Sequence, residues 1–454
     1  MNYKDKRLAV LGCGKSGIAA SRLAIDKGAN VNLFDTGFSD DLVSKADALS
    51  EEGIKVYIGD EGICQDPAAY ELVVISPGIS LDWEIVKPFR EACITIISEI
   101  EFAYAFCESE IVGVTGTNGK TTTVELIGKI LEGCGRTVAV GGNHGRPFAD
   151  IISEDKEYST IVLEISSFQL EAINQFCPDI AVWTNFASDH LDRYPSIEEY
   201  KNAKMQIFVN QTNEDWAIVN GHDRIEGLKA QTITFSAYDE LNDYWLNGTK
   251  IKNLDRELID QSLTKLRGLH NAENLMAAIA VARIHGYESN EILDSILDYI
   301  PPSHRCELVW ESNGVQFIND SKATNLHAVA SALNSFKDEK IILIAGGKNK
   351  GISYSEIKQT VKRNVSSVVL FGENKFQVEE EWKSETDCHL SNDIDEAVDN
   401  SGHEIGFYEL IGYLCARYTA IRLLIQPILK AADKTKKRKA GYGSDSSSSS
   451  TSSF

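Results

Sequence analysis

Residues 113–123 read GVTGTNGKTTT and directly follow the apolar pair Ile111-Val112. A glycine-rich turn closed by Lys-Thr, between a strand and a helix, supplies what a nucleoside triphosphate requires. Backbone N–H groups cradle the phosphates, an ammonium lies near the β- and γ-oxygens, and a hydroxyl can ligate Mg²⁺. The general pattern G-x-x-x-x-G-K-[ST] places a glycine where Val114 stands. The stretch therefore predicts a phosphate loop of a variant kind, and the alternative is a small-residue loop without a ligand.

Apolar runs of strand length alternate with helix-length amphipathic segments along the chain. They form three groups: RLAVLG, NVNLFD and ELVVISPG; EIVGVTG, STIVLEIS and DIAVWTN; and VQFIND, KIILIAGG and SVVLFG. Near-continuous apolar strands separated by helices indicate parallel sheets covered on both faces. We therefore expect an α/β protein of three domains: a Rossmann-like domain over 1–108, a central P-loop ATPase-like domain with a parallel sheet over 109–302, and a Rossmann-like domain over 303–400.

The composition limits the classes of partner. The chain has 454 residues and a formal net charge of −22, which argues against a nucleic-acid partner and against general affinity for an anionic membrane. Nine cysteines without a C-x-x-C pair favour reduced thiols over disulfides or a zinc site. The first residues enter a strand-like run at once and leave no room for a signal peptide, so we expect a cytoplasmic protein.

A second glycine motif, LAVLGCGKSGIAA, places Gly12, Gly14 and Gly17 between the first strand and a helix, and Asp35 closes the next strand. This spacing lets a backbone approach a phosphate at a helix N-terminus, as in dinucleotide folds. The motif leaves three interpretations open: a nicotinamide cofactor with Asp35 on its ribose, another phosphate ligand, or a tight turn without a ligand. The turn SPGIS at 76–80 should lie on the same edge of the sheet.

Polar residues follow the strands of the central region. Glu164 ends a strand that should neighbour the phosphate-loop strand, where a magnesium-ligating carboxylate belongs, although an acidic strand end is common. His190, in SDHLDRY, should reach the same edge; a purely structural histidine is the alternative. Asn271 and Asn274 lie one helical turn apart and could contact a base or ribose, or cap the helix.

The third region carries two charged, small-residue loops. His304 and Arg305 open it, and INDSKATN places Asp320 and Lys322 at the end of a strand. The segment AGGKNKG at 345–351 ends the next strand. Because carboxyl ends of parallel strands share one edge, these loops should form the second wall of a cleft.

Together these residues resemble the Mur ligases, cytoplasmic enzymes that build the peptide of bacterial cell-wall precursors. The resemblance extends from the N-terminus to about residue 400. In that family the phosphate loop is written T-G-T-N-G-K-[ST], which the variant loop matches. LEISSFQLE and the glycine-rich start with SPGI are most similar to the members that add D-glutamate.

The resemblance implies a reaction and its partners. ATP would phosphorylate the L-alanyl carboxylate of UDP-N-acetylmuramoyl-L-alanine, and the amine of D-glutamate would attack the acyl phosphate and expel phosphate. Two Mg²⁺ ions and a lysine carbamylated by CO₂ would serve the site, and we expect a monomer. Metal ions and cations are needed because two anions must meet.

The resemblance also assigns roles to matching positions. Lys120, Asn143, His190 and Lys204 would be catalytic, with Lys204 as the carbamate, and Thr121, Glu164, His190 and Lys204 would serve the metal ions. ATP would contact Gly116, Thr117, Asn118, Gly119, Lys120, Thr121, Thr122, Asn271, Arg305, Asp320 and Lys322. The UDP-substrate would contact Cys13, Gly14, Lys15, Ser16, Asp35, Thr36, Ser76 and Gly78, and the amino acid would contact Thr324 and Lys350. His144 stands where the family usually has isoleucine.

The segment 401–454 departs from the family pattern, which would continue with a loop close to L-S-P-A-C-A-S-F-D that contacts D-glutamate. This chain instead has an apolar stretch, the basic run KTKKRK and a serine-rich end, and we expect 440–454 to be disordered. Three interpretations remain: an altered end that impairs activity, an interfacial segment with weak membrane contact, or a replacement helix. Accordingly, a catalytically silent UDP-sugar- and ATP-binding protein, and a sister ligase for another amino acid, stay as alternatives.

Overall fold

The computed structural model describes residues 3–398, except 192, 255, 303, 313–314, 337–338 and 349–351, and the backbone of 409–415. Its strands form three sheets, of five, nine and six strands. Residues 1–300 form one compact unit and residues from 301 onward form another. The described helices include none that is long and apolar enough to cross a lipid bilayer.

The first sheet is parallel throughout, with the strand order β3-β2-β1-β4-β5. Its elements are β1 (Arg7–Leu11), α1 (Lys15–Asp26), β2 (Asn30–Asp35), α2 (Asp40–Glu51), β3 (Lys55–Ile58), β4 (Leu72–Ile75), α3 (Lys87–Glu91), β5 (Ile96–Ser98) and α4 (Glu99–Tyr104). The strand order reverses between β1 and β4, and ligands of open α/β sheets bind at such a switch point. Both predicted turns, 12–17 and 76–80, follow these two strands.

The second sheet has the order β14-β13-β12-β11-β10-β9-β6-β8-β7. Its elements are β6 (Glu110–Thr115), α5 (Lys120–Gly133), β7 (Val138–Gly142), α6 (Phe148–Ile152), β8 (Thr160–Glu164), α7 (Ser167–Leu170), β9 (Ile180–Trp183), α8 (Ile197–Met205), β10 (Trp216–Asn220), β11 (Gln231–Ser236), β12 (Tyr244–Asn247), β13 (Lys250–Asn253), β14 (Arg256–Asp260), α9 (Leu269–Ile284) and α10 (Ser289–Ile296). The strands from β7 to β12 run parallel, whereas β13 and β14 are antiparallel additions at one edge.

The phosphate-loop strand β6 lies in the interior of this sheet, between β8 and β9. Val114 is opposite Glu164 of β8, and Thr115 is opposite Trp183 of β9. The helix α9 packs in the core beside α5, and its residues 275–282, all apolar, are buried. A helical segment that is apolar on all sides, as 275–282 is, is suited to such a position.

The first two sheets are joined by buried carboxylates of α4. The two oxygens of Glu101 accept hydrogen bonds from the backbone N–H groups of Asn174, Gln175 and Phe176 at 2.8–2.9 Å. Glu99 accepts one from Ala149 at 2.6 Å. Apolar residues of both sheets also belong to one core cluster. The predicted boundary near residue 108 therefore separates two sheets of one compact unit, and its standing as a domain boundary stays a prediction.

Burial, with a smaller contribution from the charge of the nearby Asp150, raises the pKa of Glu99 to about 7. Because this folded-state pKa exceeds the unfolded value, the contribution of Glu99 to stability is complete at low pH and is lost as the pH rises through about 7. We expect Glu99→Gln to remove this loss. The free energy of unfolding of the variant, relative to that of the wild type, should therefore increase by up to about 3 kcal/mol between pH 4.5 and pH 8. Urea denaturation of both proteins across this range measures the difference. A constant difference would contradict the assignment.

The third sheet has the order β15-β16-β20-β17-β18-β19. Its elements are β15 (Glu307–Ser312), β16 (Val315–Asn319), α11 (Leu326–Ser335), β17 (Lys340–Gly347), α12 (Lys358–Asn364), β18 (Val365–Gly372), α13 (Lys375–Trp382), β19 (Asp387–Leu390) and β20 (Glu409–Cys415). The strand β15 is antiparallel to β16, and the other pairs are parallel.

The strand β20 comes from the segment that departs from the family pattern. It lies between β16 and β17, with Ile411 opposite both Phe317 and Ile342. The interpretation of this segment as a replacement helix is therefore wrong for residues 409–415, whose backbone pairs on both sides as an interior strand. The segment 440–454, which we expect to be disordered, lies outside the described residues.

Candidate active site

The nucleotide loop connects β6 to α5 and needs glycine at two positions. Gly116 has a φ of +143° and Gly119 has a φ of +83°. A Cβ atom at position 116 would lie 2.0 Å from the Oγ1 of Thr184, and one at position 119 would lie 2.3 Å from the Oδ1 of Asn274. A side chain is thus excluded by both backbone conformation and space. This packing explains why the glycines recur at a spacing that the general pattern lacks.

Residues after β9 hold the loop in place. The backbone N–H of Thr117 donates to the carbonyl of Asn185 at 2.8 Å, and that of Asn118 donates to the Asn185 side chain at 2.9 Å. The Thr184 hydroxyl donates to the Asn118 carbonyl at 2.6 Å. Since these two loop N–H groups are engaged inside the protein, we expect an anionic ligand to be held by donors at the start of α5.

We expect Gly119→Ala to weaken ATP binding by about 10-fold or more. The added methyl group must displace the Asn274 side chain, and the backbone of the alanine must keep the left-handed conformation of Gly119. Gly135→Ala is the matched control: Gly135 also has a positive φ, of +92°, but a Cβ there meets nothing within 4 Å. Titration calorimetry with ATP measures both variants. Equal weakening by the two substitutions would show that the contact with Asn274 is unimportant.

Two lysines converge on one carbonyl of the loop. The Nζ of Lys120 lies 2.9 Å from the carbonyl oxygen of Gly116, and the Nζ of Lys204, on α8, lies 2.8 Å from the same oxygen. Lys204 is only 2% exposed. Burial, and then the charge of Lys120, hold the pKa of Lys204 well below its usual value, although Asp189 and Glu164 oppose the shift. A neutral amine at this position can act as a nucleophile.

An oxygen-rich chain of side chains lies beside the lysines. The Thr121 hydroxyl donates to the Oε2 of Glu164 at 2.7 Å, and the Asn143 amide donates to its Oε1 at 2.8 Å. Thr121 and Glu164 are buried, while Asn143 and the following His144 are exposed. The predicted neighbourhood of β6 and β8 thus brings these three residues together.

His190 approaches the loop through aromatic neighbours. Its ring centroid lies 5.0 Å from that of Phe168 and 5.7 Å from that of Tyr200. The hydroxyl of Tyr200 lies 3.4 Å from that of Thr117, and its ring lies 4.7 Å from the Nζ of Lys204. The exposed His190 has a left-handed backbone, with φ of 55°.

The described residues contain no group of three or more His, Cys, Asp or Glu side chains placed to hold a metal ion. The donors beside the nucleotide loop are instead the hydroxyl of Thr121 and the carboxylate of Glu164. Both are hard oxygen ligands. Mg²⁺ characteristically takes one or two protein oxygens and completes its shell with water and substrate phosphates. The donor set therefore fits Mg²⁺ bound together with a nucleotide.

A second group of predicted site residues lies at the carboxyl edge of the first sheet, in the turns that follow β1 and β4. Gly12 has a φ of +96°, and a Cβ at Gly17 would lie 1.9 Å from the Gly12 carbonyl oxygen. The Ser76 hydroxyl donates to the same oxygen at 3.2 Å. Asp35 accepts from the backbone N–H groups of Cys13 and Gly37, each at 2.8 Å. Asp35 thus organises the glycine turn.

The remaining residues predicted at this edge differ in exposure. Lys15, Thr36 and Gly78 are exposed, whereas Cys13 and Ser76 are buried and Ser16 is partly buried. Gly14 is the N-cap of α1 and has an extended backbone. The buried members shape the turn, and the exposed members are accessible to a ligand.

Asn271 and Asn274 lie on α9, next to the nucleotide-loop helix. The Thr123 hydroxyl donates to the Oδ1 of Asn274 at 3.2 Å, and the Asn274 amide donates to the Oδ1 of Asn271 at 3.3 Å. The N-cap of α9 is Gly268, without a side-chain cap. The capping interpretation of these asparagines is therefore wrong: Asn274 connects α9 to α5, and Asn271 holds the Asn274 amide.

The second unit brings Arg305, Asp320 and Lys322 together. The residues on both sides of Arg305, His304 and Cys306, have φ values of 68° and 46°. Asp320 accepts from the backbone N–H of Cys306 at 3.0 Å, and the N–H of Lys322 donates to the carbonyl of His304 at 3.1 Å. Burial raises the pKa of Asp320 to about 7. Left-handed backbone at non-glycine residues is typical of functional sites.

The predicted amino-acid contacts are only partly described. Thr324 lines a small, mainly apolar pocket with Asn325, Lys348, Tyr354 and Asn374. Lys350 lies outside the described residues, as does Asp192 of the His190 loop.

Sequence reasoning missed several residues around the nucleotide loop. Asn185 and Thr184 hold the loop, and Tyr200 connects it to His190 and Lys204. The pair Thr184-Asn185 does follow an apolar strand, the same signal that marked Glu164. Tyr200 lies on a helix without such a signal, because its position depends on packing between distant segments.

Similarity to known proteins agrees with this arrangement. Residues 114–282 match the Mur ligase middle domain, and residues 304–404 match the Mur ligase, glutamate ligase domain. Among solved structures, the UDP-N-acetylmuramate-alanine ligase of Thermotoga maritima has a TM-score of 0.59 at 18% identity and covers 95% of this chain and 100% of its own. A pseudomurein peptide ligase type C from Methanothermus fervidus has a TM-score of 0.60 at 17% identity, and the match covers 94% of this chain and 100% of that structure. These two structures share the fold.

Two relatives are similar in sequence over most of the chain. The UDP-N-acetylmuramoylalanine–D-glutamate ligase of Citrifermentans bemidjiense is 37% identical over 415 residues, which cover 88% of this chain and 90% of the relative. The ligase of the same name from Trichlorobacter lovleyi is 38% identical over 409 residues, with 88% and 91% covered. Identity at this level along most of both chains reflects common descent, and the chain therefore belongs to the Mur ligase family.

Proposed function

We propose that this protein is an ATP-dependent ligase that joins D-glutamate to the L-alanyl carboxylate of UDP-N-acetylmuramoyl-L-alanine, in peptidoglycan precursor synthesis. The observation that carries the proposal is the 37–38% identity to ligases named for this reaction, over 88% of the chain. The arrangement of Lys120, Thr121, Glu164 and Asn143 at one sheet edge supports ATP chemistry independently of that identity.

The reaction begins with transfer of the γ-phosphoryl group of ATP to the alanyl carboxylate. A carboxylate is a poor electrophile, and phosphorylation provides a phosphate leaving group. Lys120 lies on the loop that would hold the phosphates, and its ammonium would stabilise charge on the β- and γ-oxygens. The D-glutamate amine then attacks the acyl carbon, and phosphate leaves as the amide forms. We propose that the Asn143 amide, which donates one hydrogen bond to Glu164, would donate another to a transferring phosphoryl oxygen.

Thr121 and Glu164 would hold Mg²⁺, which supplies charge neutralisation between the nucleotide phosphates and the carboxylate. For a second ion we propose His190 and a carbamylated Lys204. The low pKa of Lys204 supports carbamylation, because the neutral amine is the form that attacks CO₂. Carbamylation places an anion beside the Lys120 ammonium, and this anion attracts Lys120, whereas a protonated Lys204 would be repelled by it.

The glycine edge of the first sheet is proposed to bind the UDP part of the substrate. The helix α1 begins directly after Gly14, so its N-terminus faces the turn, and the exposed Lys15 and Thr36 and the partly buried Ser16 surround that turn. Asn271, Arg305, Asp320 and Lys322 are proposed ATP contacts, and Thr324 and Lys350 are proposed D-glutamate contacts. We also propose that the enzyme is a cytoplasmic monomer.

Phosphate release from ATP tests the function directly. The purified full chain is assayed with Mg²⁺ and UDP-N-acetylmuramoyl-L-alanine, with and without D-glutamate. We expect release that depends on D-glutamate and on both other substrates. Release with a different amino acid from a panel would indicate a sister ligase. Binding of ATP and UDP-substrate without release under any condition would support the silent binding protein.

A further inference from the structure

Arg193, three residues after His190, contacts the turn that follows β4 of the first sheet. Its Nη1 donates to the carbonyl of Pro77 at 2.9 Å, and its Nη2 donates to the carbonyl of Ile79 at 3.2 Å. These two residues flank Gly78. The side chain of Arg193 is 16% exposed, so these hydrogen bonds are largely shielded from water. Neither the glycine motif nor the nucleotide loop provides this connection.

The other side of Arg193 is fixed by residues of the central sheet. Its Nη2 forms an ion pair with the Oε2 of Glu171 at 2.9 Å, and its guanidinium lies 3.9 Å from the ring centroid of Phe168. The hydroxyl of Tyr194 donates to the other oxygen of Glu171 at 2.5 Å. Phe168 also packs against the His190 ring. Arg193 therefore shares an aromatic neighbour with His190 while it holds the turn at 76–80.

We propose that Arg193 is a positioning residue that sets the place of the 76–80 turn, and with it the UDP-substrate, relative to the nucleotide loop. This inference rests on the proposed function. The turn is held on its inner side by the hydrogen bond from Ser76 to Gly12, and Arg193 holds its outer side. Phosphoryl transfer requires the alanyl carboxylate to meet the γ-phosphate in line, so a shift of the turn by about 1 Å should be costly.

The geometry requires arginine in particular. One planar guanidinium reaches two carbonyls and one carboxylate while its face lies on Phe168. A lysine ammonium is a point charge on a flexible stem and cannot satisfy these partners in the same fixed arrangement. A lysine at this position should therefore restore the charge next to Glu171 without restoring the position of the turn.

Arg193→Ala and Arg193→Lys test the proposal, with Arg22→Ala as the control. Arg22 forms a two-point ion pair with Glu52 on the exposed face of the first sheet's helices, so its loss removes an arginine–glutamate pair away from the site. Calorimetry measures the Kd of UDP-N-acetylmuramoyl-L-alanine and of ATP, and phosphate release gives kcat. Thermal melting identifies variants that fail to fold.

We expect Arg193→Ala to raise the Kd of the UDP-substrate by about 10-fold and to lower kcat by about 100-fold, with the Kd of ATP within about twofold of wild type. Arg193→Lys should fold normally and recover only a small part of kcat. Unchanged Kd and kcat in Arg193→Lys, or equal weakening of ATP and UDP-substrate in a folded variant, would overturn the proposal. If the wild-type protein itself does not bind the UDP-substrate, the proposed function fails instead.

Discussion

Replacing Lys120 by methionine is expected to reduce D-glutamate-dependent phosphate release by about 10³-fold or more. Methionine keeps much of the aliphatic stem but removes the ammonium that lies 2.9 Å from the Gly116 carbonyl and 3.0 Å from that of Thr117. Without this cation, charge on the transferring phosphoryl group would lack its nearest fixed counter-charge on the loop. The same loss removes the smaller of the two causes that lower the pKa of Lys204, while burial, the larger cause, remains.

Lys129→Met provides the control for this substitution. Lys129 lies on the same helix, α5, but is exposed and far along it from the loop. Initial rates of phosphate release, measured at saturating substrates, compare the two variants. A Lys120→Met enzyme that retains more than about a tenth of the wild-type rate would show that the ammonium is not required for phosphoryl transfer.

Lys204→Arg is expected to lower the rate of turnover by about 10³-fold, as Lys120→Met does, although arginine provides a positive charge. A guanidinium remains protonated and cannot form a carbamate with CO₂. It must also fit a position that is 2% exposed and already lies beside Lys120. The substitution therefore separates a role as an anionic carbamate from a role as a buried cation.

Carbon-13 NMR of the protein equilibrated with ¹³C-bicarbonate detects the carbamate directly. We expect one carbamate resonance in the wild-type protein that is absent from Lys204→Arg and present in Lys201→Arg, a substitution on the same helix. Activity of the wild type should also fall when CO₂ is removed from the buffer. A fully active Lys204→Arg enzyme, or a wild-type spectrum without the resonance, would contradict carbamylation.

Much of the candidate site could be predicted from local sequence. A glycine-rich turn after an apolar strand, with Lys-Thr at the start of a helix, indicates a phosphate loop through backbone geometry alone. Glu164 could be placed beside that loop because parallel strands align their carboxyl ends, and the structure confirms its contact with Thr121. The strands missing from the sequence analysis include β12–β14, which are only four or five residues long and gave no continuous apolar signal.

The sequence by itself determined the α/β fold class, the phosphate loop and the polar strand ends, because each depends on residues that are close in the chain. Only the tertiary structure decided what surrounds Lys204 and Arg193. Lys204 meets the Gly116 carbonyl across 88 residues, and Arg193 meets the Pro77 carbonyl across 116 residues. The lowered pKa of Lys204 follows from burial and from the charge of Lys120, and both arise only when α8 packs against the nucleotide loop. Local pattern shows which groups can react, whereas packing sets their charge and position.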